Sequence, residues 1–294
     1  MLQANVPGEV TVLGLGDMGG VLAKVLLDNG CRVTVWNRTS KKAESLVRDG
    51  AILAPTVAAA VSSSPIVIIC ITDYKVTQSI LEAPEVLPTL SGRLLVQLST
   101  GTPQEARNSE TWSHKQGAEY LDGAILATPV QVGKPHTPIV ISGAQSAFQT
   151  SEPTLKILAG GLKYVGESVG AASAWDLGFL SYLWGSTLGV LHSARIFESE
   201  GIPLDTLGPM VTEVTPIIGE MMKHESDVIN TEVYDKPQSS VNVCALSVGL
   251  LIKQAQEAGI NSSIPTFAHD LFKKAMDAGY GDEEFGALIK VLRK

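Results

Sequence analysis

The sequence has few of the features that bind nucleic acid, metal ions or disulfide partners. Its 294 residues carry 22 lysines and arginines against 30 aspartates and glutamates, so no basic surface for nucleic acid is expected. Three cysteines lie far apart in apolar segments, which favours a reducing compartment over a disulfide framework and predicts a cytoplasmic protein. The five histidines have no ligand-like spacing, so no metal site is predicted.

Unbroken apolar runs are also missing, although two segments lack charge. Residues 51–72 are interrupted by Pro55, Pro65 and three serines, and residues 177–194 contain three glycines. We interpret the first segment as helix, turn and strand and the second as a buried helix, so no membrane association is expected. The N-terminal MLQANVPGEV has neither a basic region nor a long apolar core, which predicts no signal peptide.

A glycine-rich turn near the start of the chain is the first positive signal. The apolar strand VTVL leads into the spacing G-x-G-x-x-G, and an amphipathic run ending at Gly30 follows. Such glycines permit a tight turn, close approach of the backbone to a pyrophosphate, and close packing of helix on strand. The pattern predicts a dinucleotide site at a helix N-terminus. The predicted binding residues are Gly14, Leu15, Gly16, Asp17, Met18 and Gly19.

The end of the next predicted strand, residues 32–36, bears on which dinucleotide is bound. NAD-binding proteins usually carry Asp or Glu here for the ribose diol, whereas this chain has Asn37, Arg38, Thr39 and Lys42. Two cations and a hydroxyl suit a 2′-phosphate, so the pattern predicts NADPH as cofactor. The alternative is a glycine turn beside a solvated loop that binds no ligand.

Helix and strand signals alternate as far as residue 166. The apolar runs PIVIICI and RLLVQLS are typical of strands buried on both faces of a parallel sheet, and EYLDGAIL, PIVISG and LKYVG add three further strands. Thr102, Pro103 and Glu105 predict a capped helix start. The pattern indicates an α/β fold in which residues 1–166 form a Rossmann-type, doubly wound NADPH-binding domain.

Beyond this domain the signals are helical. Residues 167–198 are predicted to form an inter-domain helix, whose roughly 28 helical residues from 171 would span about 42 Å. Residues 199–294 are predicted to form an all-helical domain for dimerisation and substrate binding. Its predicted helices cover residues 204–222, 241–257, 265–278 and 282–292.

The long helix needs cover on several sides because it has few charges. We therefore expect a homodimer in which two chains intertwine their helical domains. Within those domains the polar loop 232–240 is predicted to be a mobile lid.

One carboxylate in the long helix is a candidate catalytic group. Asp176 is the only charge between Glu167 and Arg195. Burial raises the pKa of a carboxyl and a cationic substrate lowers it, so Asp176 can hold an iminium ion or supply a proton. The alternative is an acid that merely interacts with the dipole at the helix start.

The order of GLGDMG, NRT, LSTGTP, YLDGAILATPVQVGKP, GESVGAASAWD and GYGDEEFGALI resembles the β-hydroxyacid dehydrogenase superfamily over nearly the whole chain. Within it, the chain resembles imine reductases and reductive aminases. The hydroxyacid dehydrogenases carry lysine at the position of Asp176 and asparagine at that of Leu180. Imine reductases carry aspartate or tyrosine at the first position. The resemblance implies NADPH-dependent reduction of an imine, or of a carbonyl together with an amine.

The resemblance also implies further site residues. Thr100 matches a polar residue beside the nicotinamide and the amine, although a turn residue at a strand end is an alternative. Trp184 lies two helical turns after Asp176, where several relatives carry tyrosine, and either lines the pocket or fills the core. The same two alternatives hold for Met221, Met222 and Cys244.

The favoured function is reduction of an imine carbon by the hydride of NADPH, with Asp176 anchoring the cationic nitrogen. Two alternatives remain open. One is reduction of a ketone, aldehyde or semialdehyde, and the other is an NADPH-binding sensor that catalyses nothing.

Overall fold

The computed structural model describes residues 8–293 of the chain. They divide into two compact units, of which the first extends to Ser181 and the second begins at Tyr182. The domain limits at 166 and 198 stay a prediction. Residues 1–7 lie outside the described residues. They are part of the segment on which the prediction of no signal peptide rests.

The first unit is built on one eight-stranded sheet with the order β3-β2-β1-β4-β5-β6-β7-β8. The strands from β3 to β6 in this order are parallel, β7 runs antiparallel to β6, and β8 is parallel to β7. The strands are β1 (Glu9–Leu13), β2 (Arg32–Trp36), β3 (Ile52–Leu53), β4 (Ile66–Ile69), β5 (Leu94–Gln97), β6 (Glu119–Ile125), β7 (Pro138–Gly143) and β8 (Gly161–Tyr164).

Six helices accompany the sheet, and the start of α5 confirms the predicted cap. The Thr102 hydroxyl accepts the N–H of Glu105, and the Glu105 carboxylate accepts the N–H of Thr102. After β2 a 3-10 turn at Ser40–Ala43 leads into a helix of five residues. The six helices are α1 (Asp17–Asp28), α2 (Glu44–Arg48), α3 (Val57–Ser62), α4 (Tyr74–Leu81), α5 (Pro103–Lys115) and α6 (Gln145–Leu158).

The strand order reverses between β1 and β4, and this position determines where a ligand can bind. Loops leaving two such neighbouring strands diverge to opposite faces of the sheet, which opens a crevice at the carboxyl ends. All four residues of β4 and the last four of β1 are buried. A rigid apolar sheet centre therefore supports the glycine turn.

The helix α7 (Ala171–Ser199) begins in the first unit and continues into the second. The second unit adds α8 (Leu207–Thr231), α9 (Val241–Ala258), α10 (Ser263–Asp277) and α11 (Ile289–Leu292). The helix predicted over residues 282–292 is wrong, since a 3-10 turn at Phe285–Leu288 precedes the short α11. The N–H of Glu284 bonds to the Tyr234 carbonyl and that of Phe285 to the Ser239 carbonyl, which prevents helical bonding there.

Hydrogen bonds fasten the loop 232–240 to Glu284, and its mobility as a lid stays a prediction. The buried carboxylate of Glu284 accepts the N–H groups of Gln238 and Ser239, and the Tyr234 ring is part of the unit's core. Burial alone would raise the pKa of Glu284, but these N–H groups and that of Phe285 bring it below its ordinary value. The charged form of Glu284 therefore stabilises the loop.

The second unit leaves many large apolar side chains exposed. Leu246 and Leu250 on α9 are 73% and 66% exposed, and Phe267 on α10 is 68% exposed. The carboxyl-terminal part of α7 and the middle of α8 are similarly uncovered, as at Leu191 and Ile217. Isolated apolar residues are normal on a surface, whereas runs of them on successive helices indicate an interaction surface. Over residues 8–293 no helix has both the length and the apolar character needed to cross a membrane.

Candidate active site

The glycine turn between β1 and α1 has the geometry that the sequence predicted. Gly14 has φ +95°, and a Cβ there would lie 2.2 Å from the Cys70 carbonyl oxygen. A Cβ on Gly19 would lie 2.1 Å from the Gly14 oxygen, whereas one on Gly16 would meet no protein atom within 4 Å. The outer glycines are thus required by packing, and the central one leaves the backbone open to a ligand.

The turn is fastened to the end of β2 by Asn37. The side-chain oxygen of Asn37 accepts the N–H of Leu15 at 2.9 Å, and its amide donates to the Thr39 carbonyl at 3.0 Å. Leu15 has a buried side chain and does not line the cleft. No side chain caps the N-terminus of α1 at Gly16, so its positive end remains available to a phosphate.

A cleft lies at the carboxyl ends of β1, β2 and β4. The other nine predicted cofactor residues all line this cleft. Trp36, Cys70, Ile71 and Thr72 line it as well, and the sequence did not identify them. Arg38, Thr39 and Lys42 are exposed at this cleft, which places two cations and a hydroxyl beyond β2 where a 2′-phosphate would bind. The residues present fit NADPH. The nine are Gly14, Gly16, Asp17, Met18, Gly19, Asn37, Arg38, Thr39 and Lys42.

The structure brings Thr100 and Asp176 together within the first unit. Thr100 follows β5 and is exposed, whereas Asp176 in the second turn of α7 is only 6% exposed. Burial raises the pKa of the Asp176 carboxyl, and the neighbouring Thr100 hydroxyl opposes this rise. A buried carboxylate beside a hydroxyl can bind a cationic nitrogen or transfer a proton.

A second buried acid, Asp122 on β6, was not among the candidates that the sequence predicted. Its side chain is fully buried and accepts hydrogen bonds from the Tyr74 hydroxyl and from both the N–H and the hydroxyl of Ser173. The signal was present, because a charge inside the apolar strand EYLDGAIL must be buried in a sheet covered on both faces.

Known proteins resemble the chain over nearly its whole length. Residues 9–166 match the model of the NAD binding domain of 6-phosphogluconate dehydrogenase, and residues 168–294 match that of the C-terminal domain of proteins like NADPH-dependent reductive aminase. The NADPH-dependent reductive aminase of Aspergillus oryzae is 32% identical over 97% of both chains.

Solved structures give the same result. The imine reductase from Myxococcus stipitatus in complex with NADP⁺ superposes with a TM-score of 0.92 at 34% identity, covering 97% of this chain and 99% of that one. This chain belongs to the imine reductase and reductive aminase family. Another member is the reductive aminase from Aspergillus terreus in complex with NADPH and ethyl-5-oxohexanoate, with a TM-score of 0.90 and 31% identity at the same coverage.

The remaining predicted residues of this imine reductase-like chain belong to the second unit. Trp184 is 60% exposed, Met221 and Met222 are also exposed, and Cys244 is half-buried with its sulfur 3.2 Å from the Ser239 hydroxyl. Within a single chain, Trp184 and the two methionines therefore do not fill the core, so that alternative is wrong for them. Their place in a substrate pocket stays a prediction.

A further group of possible metal ligands lies in the second unit of this family member. Donor atoms of His224, Glu225 and Glu284 lie within 4.8 Å of one another. Burial and the charge of Glu284 raise the pKa of Glu225, while Glu284 is occupied by the backbone of the loop 232–240. Within this group, Glu284 is the residue that anchors the loop.

Proposed function

We propose that the protein reduces imines and iminium ions to amines with NADPH, including imines formed from a carbonyl compound and an amine. NADPH supplies the hydride, which adds to the electrophilic carbon as NADPH becomes NADP⁺. The observation that carries the proposal is the buried Asp176 carboxyl beside Thr100, in a chain 32% identical to a reductive aminase over nearly its full length.

The charge at Asp176 favours imines over ketones. An iminium nitrogen is cationic before hydride transfer, so a fixed carboxylate stabilises it by a charge-assisted hydrogen bond. A carbonyl oxygen instead gains negative charge during reduction, and a carboxylate opposes that change unless it donates a proton. Asp176 therefore acts as the anchor of the cationic nitrogen, and Thr100 offers a hydroxyl to the same nitrogen or to the carboxylate.

Cofactor selection falls to Arg38, Thr39 and Lys42. These side chains line the cleft beyond β2, at the position where NAD-binding proteins usually carry an aspartate or glutamate for the ribose and this chain carries none. Arg38 can make a charge-assisted contact to the 2′-phosphate, which NADH lacks. This arrangement supports NADPH as the working cofactor.

A second copy of the chain covers the exposed apolar helices, so the working form is a homodimer with intertwined helical units. The exposed apolar side chains of these helices, among them Leu246, Leu250 and Ile217, form a larger apolar surface than a stable monomer usually exposes. In that dimer the predicted pocket residues Trp184, Met221, Met222 and Cys244 line the substrate site. A cytoplasmic location remains a prediction from the three free cysteines.

A matched substrate panel tests the proposal. The purified protein is given NADPH with a cyclic imine, with the ketone of the same ring size, and with that ketone plus an amine, while NADPH oxidation and products are followed. We expect turnover of the imine, and of the ketone only with amine present. Faster reduction of the ketone alone would establish the carbonyl reductase alternative. Tight NADPH binding without turnover across a broad panel would establish the sensor.

A further inference from the structure

The first turn of α7 is held by side chains of the sheet. The N–H of Ala172 donates to the Ser142 hydroxyl at 2.9 Å, and that of Ser173 donates to an Asp122 oxygen at 3.0 Å. Asp122 and Ser142 face each other as a pair between β6 and β7. Two N–H groups that a helix start leaves free are thus bound to one place on the sheet. Asp176 lies in the next turn of the helix.

Tyr74 on α4 connects the same carboxylate to the other candidate catalytic residue. Its hydroxyl donates to the second oxygen of Asp122. Its ring lies against Gly101, where a Cβ would come within 2.3 Å of two ring carbons. Gly101 directly follows Thr100, so the ring fixes the backbone that carries the Thr100 hydroxyl.

We infer that Asp122, held by Tyr74 and Ser173, is a positioning residue that fixes the spacing of Thr100 and Asp176. One oxygen of Asp122 sets the helix bearing Asp176, and the other sets the ring beneath the Thr100 loop. The inference rests on the proposed role of Asp176. Errors of about 1 Å in such a pair are sufficient to cost about 100-fold in rate.

A carboxylate matches the donors around Asp122 better than an amide does. Three donors converge on the two oxygens, and an amide in the same place would turn an NH₂ group toward one of them. Burial raises the pKa of Asp122 to about 6, an effect that the hydrogen bonds from Ser173 and Tyr74 oppose and the charge of Asp176 increases. Asp122 is therefore mostly ionised at neutral pH and accepts all three bonds.

The test compares two buried tyrosines. Tyr74→Phe removes the hydroxyl that bonds to Asp122, and Tyr234→Phe removes a buried hydroxyl of the second unit that has no hydrogen-bond partner among the described residues. We expect Tyr74→Phe and Asp122→Asn to lower kcat for an imine by about 10-fold to 100-fold. The Kd for NADPH should stay within about twofold, and Tyr234→Phe should retain the normal kcat. Equal losses in both tyrosine variants would overturn the inference.

A double-mutant cycle separates positioning from general damage to the fold. If Asp122 and Tyr74 act through Asp176, adding Tyr74→Phe or Asp122→Asn to Asp176→Ala should lower the remaining rate by less than about threefold. Additive losses, with Asp176→Ala itself strongly impaired, would overturn the positioning role and leave the proposed function standing. A fully active Asp176→Ala variant would overturn both.

Discussion

In the first unit all four residues of β4 are buried, whereas α9 of the second unit exposes Val243, Leu246, Leu250 and Leu251. Both units bury acidic side chains, but with different partners. The first unit buries Asp122 under hydrogen bonds and Asp176 beside the Thr100 hydroxyl. The second unit buries Glu284 to hold a loop.

The difference indicates a division of labour between the units. Buried acids in a complete apolar core hold their geometry, because the core fixes the strands from which they project. Exposed apolar helices instead gain stability from covering each other across a subunit interface. Chemistry should therefore depend on single residues of the first unit, and assembly on the apolar surface of the second.

The largest expected effect is at Asp176. If its carboxylate holds the iminium nitrogen, Asp176→Ala should lower imine turnover by roughly 10²-fold to 10⁴-fold while NADPH binding stays nearly unchanged. Steady-state rates and a fluorescence titration with NADPH measure the two effects separately. If Asp176 only stabilises the helix start, Asp176→Ala should cost about 1 kcal/mol of stability and retain activity. That result would mean that Asp176 has no part in the chemistry of the first unit.

Cofactor choice should depend on Arg38 in the same unit. Arg38→Ala should weaken NADPH binding by about 1.5–3 kcal/mol, the worth of a hydrogen bond to a charged group. NADH binding should change little, because NADH has no 2′-phosphate. Lys41→Ala is the matched control, since Lys41 is an exposed cation outside the cleft. Equal weakening of both cofactors would take the discriminating role from Arg38.

The features predicted from sequence are those that local rules determine. The glycine turn, the Thr102 cap and the apolar strands of the first unit follow from backbone sterics, hydrogen bonding and apolar patterning over short stretches. The Asp176 prediction followed from a single charge in an apolar helix. These signals are all contained within about 20 residues of sequence.

The features missed from sequence depend on partners far along the chain. Asp122 bonds to Tyr74 and Ser173, which are 48 and 51 residues away. Glu284 holds Gln238 and Ser239 over 46 and 45 residues. The backbone N–H groups of Glu284 and Phe285 also bond to distant carbonyls, those of Tyr234 and Ser239, and a 3-10 turn replaces the predicted helix because tertiary hydrogen bonds outweigh local propensity.

If the second unit forms the dimer interface, the stability of the protein should depend on its concentration. If unfolding and dissociation are coupled, each tenfold dilution removes about 1.4 kcal/mol of stability, or about 1–3 °C in Tm. Val243→Glu on α9 should produce monomers in sedimentation experiments, while Val47→Glu, an exposed valine of the first unit, should not. A folded and active monomer at micromolar concentration would contradict the proposed homodimer.

The smallest expected effect concerns how Thr100 modulates Asp176. Burial raises the pKa of Asp176 above the ordinary 3.8, and the Thr100 hydroxyl opposes that rise, so Thr100→Val should raise the pKa further. Because the ionised carboxylate binds the cation, kcat/KM falls as pH drops through this pKa, and the variant should begin to fall at higher pH. A cyclic N-alkyl iminium substrate with a permanent charge ensures that the profile reports the enzyme. Thr111→Val, which alters an exposed threonine of α5, should leave the profile unchanged. If kcat/KM of Thr100→Val falls at the same pH as that of the unchanged protein, or at a lower pH, the two side chains do not interact in the working enzyme.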